Sequence, residues 1–418
     1  MLTVSLLVTS AGFAGTAGAV GGDESDSDGD GATVVDACTV LDDPGRYVLA
    51  GDVEVADATG TACIDVRASD VLLDGAGHTV AGDANVAGDL GNTTDGVRVD
   101  SVSNVTVSNL TVTDQFTGVF VTNATNVRVS GVNASGNLVG VTLDNATGSV
   151  VTDTVTSDNE RVGVVVDSLG GAVGDDNSVT ETVAVGNGFA GIAAFNTTNS
   201  TVADARVEGG LFGVFVGGTL TGTAVTDTHV ANASIGIEAT SATGVALTDN
   251  AVRDSGYVGI ELFRTNDSVV ANNTVTGSAG VSPFTGKAAR AAGIWLDGAS
   301  GNLLVGNDAS DNGDAGSTVS GVALVNGSDH TLLVDNVADG NAEDGFVVDG
   351  AALVALVDNV ASDNCDDGVD VADSTRVLLV GNTLEGNRDR PLEVTNSTDV
   401  RQFGSTAELL DVLDLHHP

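Results

Sequence analysis

The amino-acid sequence predicts an all-β fold, a single-stranded right-handed parallel β-helix (solenoid) of about 12–14 three-strand coils. Three observations lead to this prediction. A glycine followed by an apolar–any–apolar triplet recurs along most of the chain. Each repeat holds short runs in which apolar and polar residues alternate, and one turn position of each repeat is almost always Asn, Asp or Gly. An irregular N-terminal cap and a short C-terminal capping helix complete the predicted architecture.

The glycine repeat sets the length of a coil. Most steps are 22 to 24 residues, with two steps of 28 residues and one of 34. Alternation over a few β-branched residues is typical of strands, and coils that pair about 4.8 Å apart bring distant residues side by side. We therefore expect Val97, Val119, Val141 and Val164 to form one internal column. The repeated glycines are Gly96, Gly118, Gly140, Gly163, Gly191, Gly213, Gly236, Gly259, Gly293, Gly321, Gly345 and Gly368.

Turn-forming residues recur just after the middle strand of each coil. Asn, Asp and Gly tolerate a left-handed backbone and bond their own turn, so their recurrence predicts one turn kept in register through the stack. Glu181 is the one residue of different type in this row. The row consists of Asn109, Gly131, Asp153, Asp204, Asp227, Asp249, Asn272, Asn307, Asp335, Asp358 and Gly381.

The two ends of the chain differ from the repeats. Residues 1–20 form an apolar, small-residue segment with an A-x-A site, which predicts a signal peptide, and residues 21–32 form a flexible acidic linker. We assign residues 33–404 to the β-helix domain and residues 405–418 to a C-terminal cap and tail. No further apolar stretch is long enough to span a membrane, so we expect a secreted or cell-surface protein that is a monomer.

The charge balance excludes whole classes of partner. The formal net charge is −44, with 58 acidic residues against 14 Lys and Arg, and Lys287 is the single lysine. Nucleic-acid binding needs Lys and Arg to neutralise phosphates, so no nucleic acid is expected. Such a chain repels itself unless salt screens the charges, which is typical of extreme halophiles. A hydrophobic content of 42% supports a packed core rather than disorder.

Two modifications are predicted from short patterns. Cys38 and Cys63 flank one N-terminal segment and form a candidate disulfide in an oxidising compartment, which leaves Cys365 unpaired. Asn-x-Ser/Thr sequons are abundant and predict a glycoprotein, although β-helix turns also favour Asn and Thr. Examples are Asn92, Asn104, Asn109, Asn123, Asn145, Asn196, Asn232, Asn272, Asn326 and Asn396.

The N-terminal run CTVLDDPGRYVLAGDVEV and the later ACIDVRASDVLLDGAGHTVAG, followed by the coils, resemble a known family. This family comprises the secreted right-handed β-helix proteins of the NosD-like, carbohydrate-binding and sugar-hydrolase (CASH) type, in their halophilic archaeal branch. The resemblance covers roughly residues 36–400 and implies the fold and a surface location. NosD relatives also imply a role in copper delivery, but the chain lacks the Met, Cys and His clusters that copper prefers.

One outer face of the solenoid has an unusual composition. The middle residue of each Gly–apolar–x–apolar strand points outward, so Glu238, Glu261 and Trp295 should be successive rungs, with Phe263 and Asp297 beside them. An exposed Trp offers a flat plate on which a sugar ring can stack, whereas a Trp that packs under its own loop would not. The outward row is Arg98, Phe120, Thr142, Val165, Ala193, Phe215, Glu238, Glu261, Trp295, Ala323, Val347, Asp370 and Glu393.

The step of 34 residues inserts a loop, GSAGVSPFTGKAARAAG, immediately before the Trp295 strand. Long loops of a solenoid commonly project over its binding face. The loop contains Phe284, Lys287 and Arg290, and we interpret the two cations as candidates to pair with the carboxylates of an acidic glycan.

Carboxylates supply the candidate chemistry. Rungs about 4.8 Å apart come close to the roughly 5–5.5 Å carboxyl separation of retaining glycosidases, so Glu238 is a candidate acid and Glu261 a candidate nucleophile. The pair Asp366 and Asp367 resembles the Asp pair of β-helix polygalacturonases, which adds Asp367 as a catalytic candidate. In so acidic a chain, neighbouring acids also arise by chance.

A second acidic cluster lies in the turns before Gly345 and Gly368. Carboxylate oxygens are the ligands that Ca²⁺ prefers, so this cluster is a candidate Ca²⁺ site, and the alternative is a solvated acidic turn. The candidate ligands are Glu343, Asp344, Asp366, Asp367 and Asp370.

Three functions remain open from the sequence. The first is a secreted or cell-surface scaffold that binds carbohydrate or a surface partner without catalysis. The second is a polysaccharide-active enzyme, a hydrolase, lyase or epimerase, that uses the outward carboxylates. The third, implied by the resemblance to NosD, is a copper accessory protein.

Overall fold

The computed structural model describes residues 31–55, 61–82, 94–167, 174–218 and 221–414, and only the backbone of 174–175 and 411–414. The predicted signal segment 1–20, most of the predicted linker, the sequon at Asn92 and the tail after residue 414 lie outside these residues. The described chain winds as an all-β, right-handed parallel solenoid of about 15 turns, which confirms the predicted fold class. Strands of successive turns pair in parallel to build three long sheets, which we call A, B and C.

Sheet B carries the Gly–apolar–x–apolar strands and has 15 members. Its alternate residues are buried because each strand turns one face to the interior of the solenoid. The strands are Thr39–Leu41, Ala62–Val66, Asp95–Asp100, Thr117–Thr122, Val139–Asp144, Val162–Asp167, Ala190–Phe195, Phe212–Gly217, Ile235–Thr240, Val258–Phe263, Ala291–Asp297, Val319–Val325, Phe346–Asp349, Val369–Ala372 and Leu392–Thr395.

Sheet A follows sheet B along each coil and has 16 strands. They are Thr33–Val35, Gly45–Leu49, Val71–Asp74, Ser103–Ser108, Thr125–Ser130, Val150–Thr152, Ser178–Thr180, Thr201–Ala203, Ala224–Thr226, Ala246–Thr248, Val269–Ala271, Leu303–Val305, Leu332–Val334, Ala352–Val357, Thr375–Val380 and Arg401–Phe403.

Sheet C closes the coil and has 10 strands. A short additional sheet pairs Gly174–Asp175 with Thr197–Thr198. The strands of sheet C are Val53–Glu54, Thr79–Ala81, Thr111–Thr113, Asn133–Ala134, Val155–Ser157, Val183–Val185, Arg206–Glu208, His229–Ala231, Ala251–Arg253 and Thr274–Thr276.

The predicted register is confirmed. Val119 pairs with Val97 on one side and with Val141 on the other, and Val141 pairs with Val164. All four side chains are fully buried. Residues that are far apart in the sequence therefore form one column inside the solenoid, as the glycine repeat predicts.

The turn row is also confirmed, with one correction. Its members adopt left-handed backbones, and Glu181, the one residue of different type, adopts the same conformation with φ of 50°. Asn307 was wrongly placed in this row, because the left-handed residue of its coil is Gly306, with φ of 63°. Two adjacent residues that both favour turns made the sequence ambiguous there, and the side chain of Asn307 points inward instead.

The predicted glycosylation sequons fall on turns of the same kind. Every acceptor asparagine named above that lies in the described residues has a positive φ, between 48° and 57°. Their abundance is therefore explained by the need for left-handed turn residues.

Ladders of inward-pointing asparagines hold successive coils together. At the corner between sheets A and C, each amide accepts a hydrogen bond from the backbone of the preceding coil and donates to an inner carbonyl. Buried polar groups need such partners, and the ladder supplies them repeatedly. The ladder consists of Asn250, Asn273, Asn307, Asn336, Asn359 and Asn382.

Sheet C is shorter than the prediction of three strands in every coil. After Thr276, the described coils keep only single bridges on this face, such as Asp308 to Val337 and Val337 to Val360. A second asparagine ladder runs along these coils and consists of Asn312, Asn341, Asn364 and Asn387. The two ladders are five residues apart in each coil.

The ends of the solenoid carry the predicted helix and disulfide. The helix Thr406–Asp414 begins after Ser405, whose Oγ accepts a hydrogen bond from Glu408 N at 3.2 Å. This is a helix N-cap, which satisfies a backbone donor that has no partner within the helix. Near the other end, Cys38 and Cys63 form a disulfide with Cα atoms 4.4 Å apart, and Cys365 is free and exposed.

Candidate functional site

The outward row of sheet B has the predicted order. Phe215 pairs with Glu238, Glu238 with Glu261, and Glu261 with Trp295. Each of these residues is the middle one of its Gly–apolar–x–apolar strand, so alternation turns all of them to the outside. The structure therefore brings together residues that are separated by 23 to 34 positions in the sequence.

Glu238 lies at the edge of an aromatic cluster. The rings of Phe189, Phe195, Phe212 and Phe215 contact one another on the outer face, with centroids 4.9 to 6.0 Å apart. Phe215 occupies the rung next to Glu238. Burial beside this apolar surface raises the pKa of Glu238 to about 7, because a carboxylate loses hydration there.

Glu261 occupies the following rung, between Glu238 and Trp295. Burial is the main reason that its pKa rises to about 7, and the negative charges of Glu238 and Asp297 raise it further. Two carboxyl groups on adjacent rungs do not both ionise freely. Near neutral pH this pair can therefore hold a proton, which is what acid–base chemistry requires.

Trp295 is half-buried, and part of its indole faces solvent. Its ring packs against two small apolar clusters outside the main core, which include Ala291 and Ala292 at the end of the inserted loop. The part of the side chain that remains exposed lies on the rung next to Glu261. The buried members are Ala292, Ala323, Val325 and Val347 in one cluster and Val258, Ala291 and Val319 in the other.

Tyr257 is a site residue that the sequence analysis missed. Its Oη donates a hydrogen bond to the carbonyl oxygen of Arg290 at 3.2 Å. Burial, followed by the charges of Glu261 and Asp297, raises the pKa of this tyrosine. The available signal was its position two residues before Gly259, in a chain with only 2 tyrosines.

Phe263 and Asp297 border the same surface, as predicted. They pair on adjacent strands. The guanidinium of Arg264 lies 4.9 Å from the centre of the Phe263 ring, and Asn326 Nδ2 donates to Asp297 Oδ1 at 2.9 Å. We call the surface formed by Glu238, Tyr257, Glu261, Phe263, Trp295 and Asp297 the Trp295 face.

The inserted loop forms a small hairpin beside this face. Val281 and Ala288 bridge in antiparallel fashion, and Ser282 N donates to the carbonyl oxygen of Lys287 at 2.9 Å. The base of the hairpin is tied to the preceding coil, because Val281 N donates to the carbonyl oxygen of Gly256 at 2.8 Å. Phe284 and Lys287 are exposed at its tip, and the Phe284 side chain is 73% exposed.

Arg290 reaches from the end of the hairpin to a more distant coil. Its Nη1 lies 2.9 Å from Asp349 Oδ2. Burial raises the pKa of Glu343 and of Asp370, and the positive charge of Arg290 opposes both rises. The guanidinium is therefore engaged by carboxylates of the protein itself.

The acidic turns before Gly345 and Gly368 form hydrogen bonds between coils. Asp344 Oδ1 accepts from Asp367 N at 3.0 Å, and Asp367 Oδ1 accepts from Arg390 N at 2.8 Å. Burial raises the pKa of Asp344 to about 7 and that of Asp367 to about 6. These two aspartates therefore act as turn acceptors that connect one coil to the next.

The predicted Ca²⁺ ligands are only partly brought together. Within the described residues, Asp366 and Asp367 place carboxylate oxygens within 4.8 Å of each other and of Asp389. Asp389 was not among the predicted ligands, and Glu343, Asp344 and Asp370 do not join this group.

Asp367 is also distant from the other catalytic candidates. Its coil is four strands beyond Glu261 in sheet B, through Trp295, Ala323, Val347 and Asp370. At a spacing of about 4.8 Å per strand, the separation along the axis is roughly 19 Å. Glu238 and Glu261 therefore form one group, and Asp367 lies outside it.

The raised pKa values make the stability of the protein depend on pH. Glu238 and Glu261 have an ordinary pKa of 4.5 and bind their protons more tightly when folded. Their stabilising contribution is full below about pH 4.5 and is lost as the pH rises toward 7. We expect the variant Glu238→Gln/Glu261→Gln to be more stable than the wild-type protein at pH 8, by about 1–2 kcal/mol per group after allowance for solvent contact.

Thermal unfolding at pH 5 and pH 8 in the same high salt measures this difference. When the pH is raised from 5 to 8, the unfolding temperature of the double variant should fall less than that of the wild-type protein. Glu160→Gln is the matched control, because Glu160 is exposed and its substitution should leave the pH dependence unchanged. An unchanged pH dependence in the double variant contradicts the assignment.

Comparison with solved structures finds several similar chains. The A-module of the mannuronan C-5 epimerase AlgE6 of Azotobacter vinelandii is 19% identical, with 86% of this chain and 91% of that chain covered and a TM-score of 0.47. The periplasmic alginate epimerase AlgG is 14% identical, with coverages of 85% and 77% and a TM-score of 0.44. The catalytic domain of a GH87 alpha-1,3-glucanase in complex with tetrasaccharides is 12% identical, with coverages of 70% and 60% and a TM-score of 0.50.

Comparison with curated proteins finds no match. In the part of the chain that the structure describes, no helix has the length and apolar character needed to cross a membrane. The family model described as "Right handed beta helix region" matches residues 48–209 and 212–388, which is most of the chain. The chain therefore belongs to the right-handed β-helix family.

Proposed function

We propose that the protein binds a polysaccharide along the outer side of sheet B, with the Trp295 face as its central subsite. The observation that carries this proposal is the partly exposed side chain of Trp295 on the rung next to Glu261. A sugar ring has an apolar side that packs on an aromatic ring, and its hydroxyls bond to neighbouring polar groups. Tyr257 and Phe263 extend the aromatic surface on either side.

The charges around this face favour a neutral sugar or an amino sugar. Asp297 and the ionised member of the Glu238–Glu261 pair place negative charge beside Trp295, whereas the positive charge of Arg290 is opposed by three carboxylates, Asp349, Glu343 and Asp370. An acidic glycan would meet repulsion there. The sequence-based expectation of an acidic glycan held by Lys287 and Arg290 is therefore replaced, in this proposal, by a neutral or amino-sugar polymer.

A second candidate function uses the same face for catalysis. Its motivation is the pair Glu238 and Glu261, both with a pKa raised to about 7 on adjacent rungs. One protonated carboxyl group and one carboxylate at this spacing are what a retaining glycosidase needs. In that role Glu238 would donate a proton to the leaving oxygen, and Glu261 would attack the anomeric carbon.

A binding assay in high salt tests the proposal. Wild-type protein is offered α- and β-glucans, mannan and chitosan, with alginate and polygalacturonate as acidic comparisons. Trp295→Ala should weaken binding of the preferred neutral or amino-sugar polymer by about tenfold, since loss of an aromatic contact is worth about 0.5–1.5 kcal/mol beyond its buried area.

Trp295→Phe is the matched control, because it keeps a flat ring at the same rung and should retain most of the binding. Phe284→Ala shows whether the exposed loop tip contributes. Equal binding by Trp295→Ala, or binding of the acidic polymers alone, contradicts the proposal. Release of reducing ends from the bound polymer, abolished by Glu261→Gln, would establish the catalytic alternative in the same assay.

A further inference from the structure

The outer side of sheet C carries a group of basic residues. Arg206 pairs with His229, and His229 pairs with Ala251, on consecutive strands. In the next outward row, Ala231 pairs with Arg253. Alternation turns both rows to solvent, so two arginines and a histidine meet over three adjacent coils.

A cavity of about 150 Å³ lies between these side chains. Its floor contains the methyl groups of Ala231 and Ala251, and Thr274 and Thr276 close one end. Short side chains between long ones create the depression. A liquid water occupies about 30 Å³, so the cavity has room for about five waters or for one small ligand.

Basic side chains are concentrated at this cavity in a chain that is otherwise strongly acidic. Lys and Arg number 14 against 58 acidic residues, yet Arg206, His229 and Arg253 all line this one site. Arg206 Nη2 lies 3.2 Å from Glu208 Oε2, and Arg253 Nε lies 4.0 Å from Asp254 Oδ2. A guanidinium has five N–H donors, so each arginine keeps donors for a ligand.

We propose that this cavity, which we call the sheet C cavity, binds the anionic group of a small ligand, a carboxylate or sulfate. Arginine recognises planar and tetrahedral oxyanions through paired hydrogen bonds. The His229 ring and the threonine hydroxyls add donors, and the alanine floor accepts the apolar side of a sugar-sized body. The site is on a different sheet from the Trp295 face and prefers the opposite charge, so it does not depend on the function proposed for that face.

Titration of the full chain tests this site. Sodium sulfate, sodium glucuronate and neutral glucose are added at constant ionic strength, and binding is followed by calorimetry and by the NMR signals of the His229 ring. We expect both anions to bind, or glucuronate alone, and glucose to leave the His229 signals unchanged. Tighter binding of glucuronate identifies an acidic sugar as the ligand class, and equal or tighter binding of sulfate identifies a free oxyanion.

Two variants separate charge from shape. Arg206→Gln/Arg253→Gln should weaken anion binding by at least about tenfold, because the substitutions remove the charged donors that would bond to the anion. Ala251→Leu fills the cavity without changing the charge and should weaken glucuronate binding by a similar factor. Arg128→Gln is the matched control, since Arg128 is an exposed outward residue of sheet A.

Three results would overturn the inference. The first is that neither anion changes the His229 signals. The second is that Arg128→Gln weakens binding as much as the double variant, which would indicate general attraction to positive charge. The third is that the double variant and Ala251→Leu both unfold at the wild-type temperature and still bind the anions normally.

Discussion

Asn307→Ala is expected to destabilise the solenoid by about 3–5 kcal/mol. The Nδ2 group of Asn307 donates to the carbonyl oxygen of Val270 and to Asn336 Oδ1, both at 2.8 Å. Its Oδ1 accepts from the backbone and side-chain nitrogens of Asn273, at 3.0 and 2.9 Å. The residue is 1% exposed, so the substitution leaves several buried polar groups without partners, and each costs about 1–3 kcal/mol.

Hydrogen exchange and chemical unfolding in high salt measure this loss. Because each coil contacts only its neighbours, the amides of the coils that contain Asn273 and Asn336 should exchange fastest. Asn133→Ala is the matched control, since Asn133 is exposed on sheet C, and its effect should stay within about 0.5 kcal/mol. Equal destabilisation by the two substitutions would show that the ladder contributes nothing.

Gly259→Ala is expected to lower the free energy of unfolding by about 3 kcal/mol. This is at the upper end of the destabilisation that overpacking causes. A Cβ atom at this position would clash with Val275 Cγ1 and would lie 2.7 Å from the carbonyl oxygen of Gly293 in the next coil. Neither neighbour has room to move, because Val275 is fully buried and the carbonyl belongs to the tightly stacked glycine row of sheet B.

Gly256→Ala provides the comparison three residues away. There, the nearest atom to an added Cβ is Ser234 Cα at 3.5 Å, an ordinary contact. We expect this substitution to be neutral or to stabilise the protein by about 0.4–1 kcal/mol, because alanine restricts the unfolded chain. Urea unfolding of the two variants tests this prediction, and Gly259→Ala should have the lower midpoint. Similar midpoints would mean that the solenoid does not require glycine at position 259 for steric reasons.

Several features were readable from the sequence because they depend on local rules repeated many times. Alternation and the glycine step predicted the internal column of Val97 and Val119 and the outward order of Glu238, Glu261 and Trp295. Both the internal column and the outward order follow once the coil length is known. Side chains alternate between the two faces of a strand, and each coil pairs in parallel with the preceding coil. The same repetition predicted the left-handed turns.

The prediction of the turn positions was ambiguous where two adjacent residues both favour turns. Gly306 and Asn307 both favour turns, and the sequence alone did not show which one turns and which one points inward. The asparagine ladders were missed for the same reason, since an inward Asn looks like a turn Asn until its partners in the neighbouring coils are known.

The sequence by itself determined the coil, its register and which residues share a face. Only the tertiary structure decided the chemistry of that face: the aromatic cluster that dehydrates Glu238, the hydrogen bond of Tyr257 to the hairpin, and the ion pair of Arg290 with Asp349. Periodicity is a property of neighbouring residues along the chain. Dehydration and charge pairing depend instead on side chains up to 59 positions apart, whose contacts form only when the coils are stacked.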